Sequence, residues 1–256
     1  MKIKDGYYLL CLVMISFCLP SCRNMGLYGD LSVKVSYPHL ENLGKPKLEY
    51  CRQTPIKYTL PNKRELPQNL HHHIQLAIHK WELAVGKKLF EETYFDGDLA
   101  TNTDDGFRNQ ILEFRFPPTE YLPRTLRNSH VGAMATTMSL SRMNRRTNRL
   151  EIRSVLSDIW YNTAYFQWGD ASEMVFDPAM NVSDLEVTTL HELGHVLGLS
   201  HNQDNYSIMN ATTNYHVKRL REGGMVLTSP PPRFFSRKDI QRIHTLCGCM
   251  GEACDV

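Results

Sequence analysis

The run His191-Glu192-Leu193-Gly194-His195-Val196-Leu197-Gly198-Leu199-Ser200-His201 sets three imidazoles and one carboxylate close together in the chain. On a helix, His191 and His195 project from one face about a turn apart, so one metal ion can bridge them. Glu192 follows the first ligand, near the metal but poorly placed to ligate it, and is free to take a proton from an activated water. Gly198 can adopt a positive φ, stop the helix and turn the chain back. His201 then completes a three-nitrogen set with the fourth tetrahedral position left open, the donor set of one hydrolytic Zn2+. A bare H-E-x-x-H arises by chance in unrelated helices. The added Gly198 and His201, and Ser207-Ile208-Met209 farther on, make chance a poor explanation.

H-E-x-x-H-x-x-G-x-x-H followed by a methionine turn is the metzincin signature, and the chain resembles the metzincin zinc metalloproteases. The step from His201 to Met209 resembles the matrixin branch. So do Phe235 to Ile243, which look like a closing helix, and Pro55 to Leu60 followed by Leu70 to Val85, which look like an opening strand and first long helix. The likeness spans about residues 52 to 247 and is densest at the zinc motif. It implies an α+β, zincin-like catalytic domain: a twisted, mostly parallel five-stranded sheet with an antiparallel edge strand, two long helices and a C-terminal helix. It also implies one catalytic zinc, Met209 packed under the histidines as a polarizable floor, and a protein or peptide substrate aligned in extended form on the edge strand. Two departures stand out. Asn202 replaces the small hydroxyl residue usual after the third histidine, and Arg127 to Asn148 lacks the spacing for the family's structural zinc and calcium.

Several elements must position these groups. Ile56 to Leu60 reads as a short strand, and Leu66-Pro67 opens a helix in which Leu70, Ile74, Ala77, Ile78, Trp81 and Ala84 recur at helical spacing. His71, His72 and His73 at its start point in different directions and read as solvated surface. Ile111 to Phe116, Val131 to Leu140 and Leu150 to Val155 are strand candidates, the first stopped by Pro117-Pro118. Ser183 with Glu186, and Ser236 with Asp239, are spaced as capping boxes for the zinc helix and the closing helix. In the zinc helix, Leu185, Thr189, Leu193 and Val196 form a core-facing stripe with the ligands at its edge. Trp160, Tyr161, Tyr165, Phe166 and Trp168 either pack on the core or shape the cleft, the core being favoured. Arg124, Arg127, Arg142, Arg145, Arg146 and Arg149 read as a solvated loop face rather than a site for acidic partners. Tyr206 and Tyr215 are candidates for a second oxyanion donor.

The chain has 256 residues, 42% hydrophobic and 22% charged, enough for one substantial core or two small ones. A net charge of +2 gives no reason to expect nucleic acid. Lys2 and Lys4 precede an apolar run from Tyr7 to Leu19, shorter than the ~20 residues a spanning helix needs, which reads as an export signal over residues 1–21. Leu19-Pro20-Ser21-Cys22 resembles a bacterial lipobox, with Cys22 the acylated new N-terminus and membrane anchor; simple secretion is the alternative. Residues 22–50 read as a tether or arm, and 51–256 as the catalytic domain. Cys51, Cys247, Cys249 and Cys254 are even in number and allow three complete pairings. A bridge from Cys51 to the C-terminal cluster would tie the domain's ends together; thiol metal binding by the cluster, and latency through Cys51, are weaker readings. An exported zinc endopeptidase acting outside the cytoplasm is therefore expected. A zinc-containing peptide-binding module or inactivated protease is the alternative, and the intact Glu192 weighs against it. Oligomeric state is not legible.

Overall fold

The computed structural model describes residues 30–36, 55–93, 111–127, 131–144 and 149–247, apart from 63, 176, 178, 222, 230 and 231. The export signal, Cys22, Cys51, Cys249, Cys254, Arg145, Arg146 and most of the arm lie outside the described residues, as do the side chains of Arg142, Arg149 and Tyr215. No described helix is long and apolar enough to cross a membrane.

Five strands form the central sheet: β2 (Ile56–Thr59), β3 (Phe90–Glu92), β4 (Leu112–Arg115), β5 (Ala133–Asn144) and β6 (Arg149–Tyr161), in the order β3-β2-β4-β6-β5. All neighbours run parallel except β5 against β6, so β5 is the antiparallel edge. Helix α1 (His71–Val85) and helix α3 (Leu185–Val196) pack on each other and share one core with the sheet; the closing helix α4 (Arg237–Cys247) packs on α1. This is the expected α+β architecture. Of the expected α1 stripe, Ile74, Ala77, Ile78 and Trp81 are buried, whereas Leu70 and Ala84 are half-buried and Val85 is buried at the last turn; Gly86 ends the helix in the left-handed region at φ 72°. The aromatic stretch is core, with Trp160, Tyr161, Phe166 and Trp168 buried and Tyr165 at the surface.

Alternation along β4 sends Leu112 and Phe114 into this core and Glu113 and Arg115 to the other face. That second face is closed too. A short helix, α2 (Arg124–Arg127), brings Leu126 and Leu122 against Trp160, and Glu113, Arg115 and Asp158 are each only 1% exposed. Arg115 pairs with Glu113, lies 3.4 Å from Asp158 and sits 4.9 Å over the Trp160 ring. Burial pushes Asp158 up to about 7, with Arg115 pulling it down and Glu113 pushing it up again. A carboxyl whose folded pKa is raised contributes stability fully below its unfolded value, about 4, and loses it as pH climbs through about 7. Asp158→Asn should therefore gain stability relative to wild type across that window. Paired denaturation curves at pH 5 and pH 8 check this, and an unchanged difference between the two proteins would contradict it.

Two further strand groups flank the sheet. Strands β7 (Phe166–Gly169) and β8 (Asn181–Asp184) pair in parallel and deliver the chain into α3. Beyond the methionine turn, β9 (Thr212–Arg219) and β10 (Met225–Ser229) form a hairpin, and β1 (Asp30–Ser36) pairs along the other side of β9. Part of the N-terminal arm is thus a strand.

Candidate metal centre

Helix α3 is buried along its whole length, more completely than a single apolar stripe would require. Thr189 fits because its hydroxyl meets the Leu185 carbonyl at 2.6 Å and the Tyr161 hydroxyl at 2.8 Å. The cap is not the expected Ser183–Glu186 box. Strand β8 runs through Asp184, so Ser183 belongs to the strand and bonds the Thr188 hydroxyl at 2.9 Å. Asp184 caps the helix instead, accepting from the Val187 N–H at 2.9 Å, while its other oxygen accepts from Ala171 N–H at 3.1 Å and from Arg233 at 2.6 Å. Glu186 is drawn off into ion pairs with Lys80 and, at 3.7 Å, Arg233. Across the helix pair, the Trp81 indole N–H donates to the Leu190 carbonyl at 3.0 Å.

The helix ends as its glycine predicts. Gly198 has φ 99°, the Gly198 N–H bonds the His195 carbonyl at 3.0 Å, and the Leu199 N–H bonds the Gly194 carbonyl at 2.8 Å. That reversal brings His201 back to the other two ligands. The three Nε2 atoms form a nearly equilateral triangle: His191 to His195 3.0 Å, His191 to His201 3.1 Å, His195 to His201 3.1 Å.

Protonation shows what such a triangle needs. The Nδ1 of His191 lies 2.7 Å from the Ile208 carbonyl, and that of His195 lies 2.7 Å from the Leu199 carbonyl. A carbonyl only accepts, so both Nδ1 atoms carry the proton, and each neutral ring presents a lone pair at Nε2. Two lone pairs facing at 3.0 Å repel unless a cation lies between them. The triangle's size suits three nitrogens each about 2.0–2.1 Å from one centre, and the backbone bonds at Nδ1 are the outer support such ligands need. The donor set therefore fits zinc. Among the described residues this is the one group of three or more potential ligands close enough to share an ion.

Glu192 is 1% exposed. Its Oε2 accepts from the Ala135 N–H of β5 at 2.6 Å, while Oε1 has no hydrogen-bond partner among the described residues. Burial pushes this carboxyl up to about 8, against the Ala135 N–H, which pulls it down. The edge strand thus lies directly against the glutamate.

Met209 is fully buried under the helix. A Cβ on Gly194 would fall 2.3 Å from the Met209 sulfur and 3.2 Å from the Trp81 ring, so a larger residue there would push the methionine away from the ligand helix. The turn itself hangs on Asp239, a wholly buried carboxylate of α4. The expected reciprocal box with Ser236 is present, Asp239 accepting from the Ser236 N–H at 3.0 Å and its hydroxyl at 2.9 Å. The same carboxylate also accepts from the Ile208 N–H at 2.9 Å and from the Ser207 hydroxyl. Asn202, the departure after the third histidine, joins this group: its amide donates to the Ser207 hydroxyl at 2.6 Å and reaches Asp239 at 3.4 Å. Spacing marks Asp239 as a cap, and nothing local reveals its reach to the turn.

Other expected groups do not converge here. Tyr206 is 78% exposed. The triple histidine is only partly solvated: His72 is exposed, but His73 is buried because it begins the core-facing side of α1, and burial holds its pKa below the ordinary imidazole value.

Among curated proteins no relative matches. The family model described as Matrixin (Peptidase M10) matches residues 50–222. That span covers more than half the chain and contains all three ligands, Glu192 and Met209. The chain belongs to the matrixin family of zinc metallopeptidases.

Proposed function

We propose that the protein is an exported zinc endopeptidase that uses one Zn2+ held by His191, His195 and His201, with Glu192 as general base. The convergence of three Nε2 atoms beside a buried glutamate carries this reading. Zinc bound there supplies Lewis acidity, lowering the pKa of a water toward ~7 and polarising a peptide carbonyl. The chain's own groups do the rest. The Ile208 and Leu199 carbonyls fix the ring orientations of His191 and His195. Glu192, with one oxygen tied to β5 and the other without a partner among the described residues, takes the water's proton and passes it to the leaving amine. Strand β5 ends the sheet order, so its outer edge offers backbone groups to an extended peptide, which would lie alongside the glutamate. An intact buried base is superfluous in a pure binder, which favours the enzyme.

Casein or gelatin turnover should vanish when a chelator removes the ion and return with added zinc. Turnover indifferent to chelation would end the zinc reading.

Export and anchoring rest on the charged start, the apolar run and Leu19-Pro20-Ser21-Cys22. Fatty-acid label should enter the wild-type protein and not Cys22→Ala; equal labelling of both would remove the lipid anchor. The disulfide expectation draws support from Cys247, at the end of α4, which is disulfide-bonded.

A further inference from the structure

Strand β1 pairs with β9 over seven residues, from Asp30 opposite Lys218 to Ser36 opposite Thr212. Its sequence alternates cleanly: Leu31, Val33 and Val35 fall opposite Val217, Tyr215 and Thr213, while Asp30, Ser32, Lys34 and Ser36 occupy the intervening positions. Without β1, β9 and β10 would be a two-stranded hairpin, a unit of marginal stability, with a raw edge along β9.

The last pair of this ladder adjoins the metal centre. Thr212 stands three residues after Met209, and its N–H donates to the Asn210 side chain at 3.0 Å. Asn210 bridges in parallel to Asn202, the residue after the ligand His201, and the Asn202 N–H bonds the Met209 carbonyl at 2.9 Å. The Asn210 amide also holds the intervening loop through the Asp204 carbonyl at 3.1 Å. A continuous run of backbone pairs and hydrogen bonds therefore leads from the arm to the loop carrying the third ligand.

We infer that β1 is a positioning strand of the metal centre: by completing the sheet on β9 it holds the 202–212 loop and keeps His201 in place against the other two ligands. The arm is then part of the catalytic unit as well as a connector. This rests on the zinc reading above, and the test separates the two.

Successive amides of an edge strand face opposite sides, so proline at two consecutive positions removes a ladder donor whichever way the strand is turned. Val33→Pro combined with Lys34→Pro in the full chain should raise amide exchange across 212–219 and across 201–211, with α1 still protected. Zinc should pass to a competing chelator about fivefold faster than from wild type, roughly what the loss of one net hydrogen bond gives. Unchanged exchange at 212–219 would mean that the arm does not hold β9. Exposed 212–219 with unchanged 201–211 and unchanged zinc release would mean that it pairs without positioning the ligand. If α1 also loses protection, Asp30→Lys replaces the proline pair, setting like charges opposite Lys218; the same two segments then decide. A wild-type protein that holds no zinc would sink the zinc reading alone, and exchange at 201–211 would still judge the strand.

Discussion

Glu192→Gln should cut peptide turnover about 10²–10⁴-fold, the usual worth of a positioned general base, with zinc content unchanged. The substitution is close to isosteric. Its amide oxygen can still accept from the Ala135 N–H, now 2.6 Å from Oε2, so the tie between α3 and β5 need not break. The three imidazoles keep their triangle and their backbone partners, because the Ile208 and Leu199 carbonyls bond the rings while Glu192 bonds the Ala135 N–H. What disappears is the ability to accept and return a proton. Metal analysis alongside kcat and KM is the measurement. A variant that loses zinc together with activity would make the residue structural, and one that keeps wild-type kcat would remove it from the mechanism.

Asp239→Ala should destabilise the domain by about 4 kcal/mol and lower the melting temperature by roughly 10 °C, with accelerated loss of metal. The fully buried carboxylate gathers the Ser236 N–H and hydroxyl, the Ile208 N–H, the Ser207 hydroxyl and, at 3.4 Å, the Asn202 amide. Alanine leaves five donors without their acceptor, at up to about 1 kcal/mol each. Two of them belong to the turn that presents the Ile208 carbonyl to His191, so damage to α4 should reach the ligand set. Asp239→Asn keeps one acceptor oxygen and should fall between. A calorimetric scan and a zinc assay on the three proteins suffice. A melting point for Asp239→Ala within a degree or two of wild type would show that the carboxylate organises nothing.

The parts of the site that follow from nearest neighbours in sequence were legible. His191 and His195 share a helix face, Gly198 alone tolerates the turn at φ 99°, and the Ser236–Asp239 box is a three-residue device. Likewise α1 announces itself by its apolar spacing. What escaped depends on long-range partners. Ser183 has the right spacing for a cap, but pairing of β8 with β7 reaches Asp184 and moves the cap one residue on. Glu113 and Arg115 alternate with apolar neighbours as though facing solvent, yet α2 and Trp160 cover them. Asp239 reaches back 31 residues to the Ile208 N–H, a distance no pattern predicts. The arm is the instructive case. Leu31, Val33 and Val35 alternate as a strand should, but Pro38 and Pro46 nearby make the whole stretch read as a tether.

The docking of residues 30–36 also sets the length of a leash. From Cys22 to Asp30 the backbone spans at most ~30 Å even when fully stretched, about the width of a small domain. With acyl chains on Cys22, the whole enzyme would ride close above the lipid headgroups, unable to patrol the surrounding fluid. Its prey would then be polypeptides that share its own surface or come within reach of it.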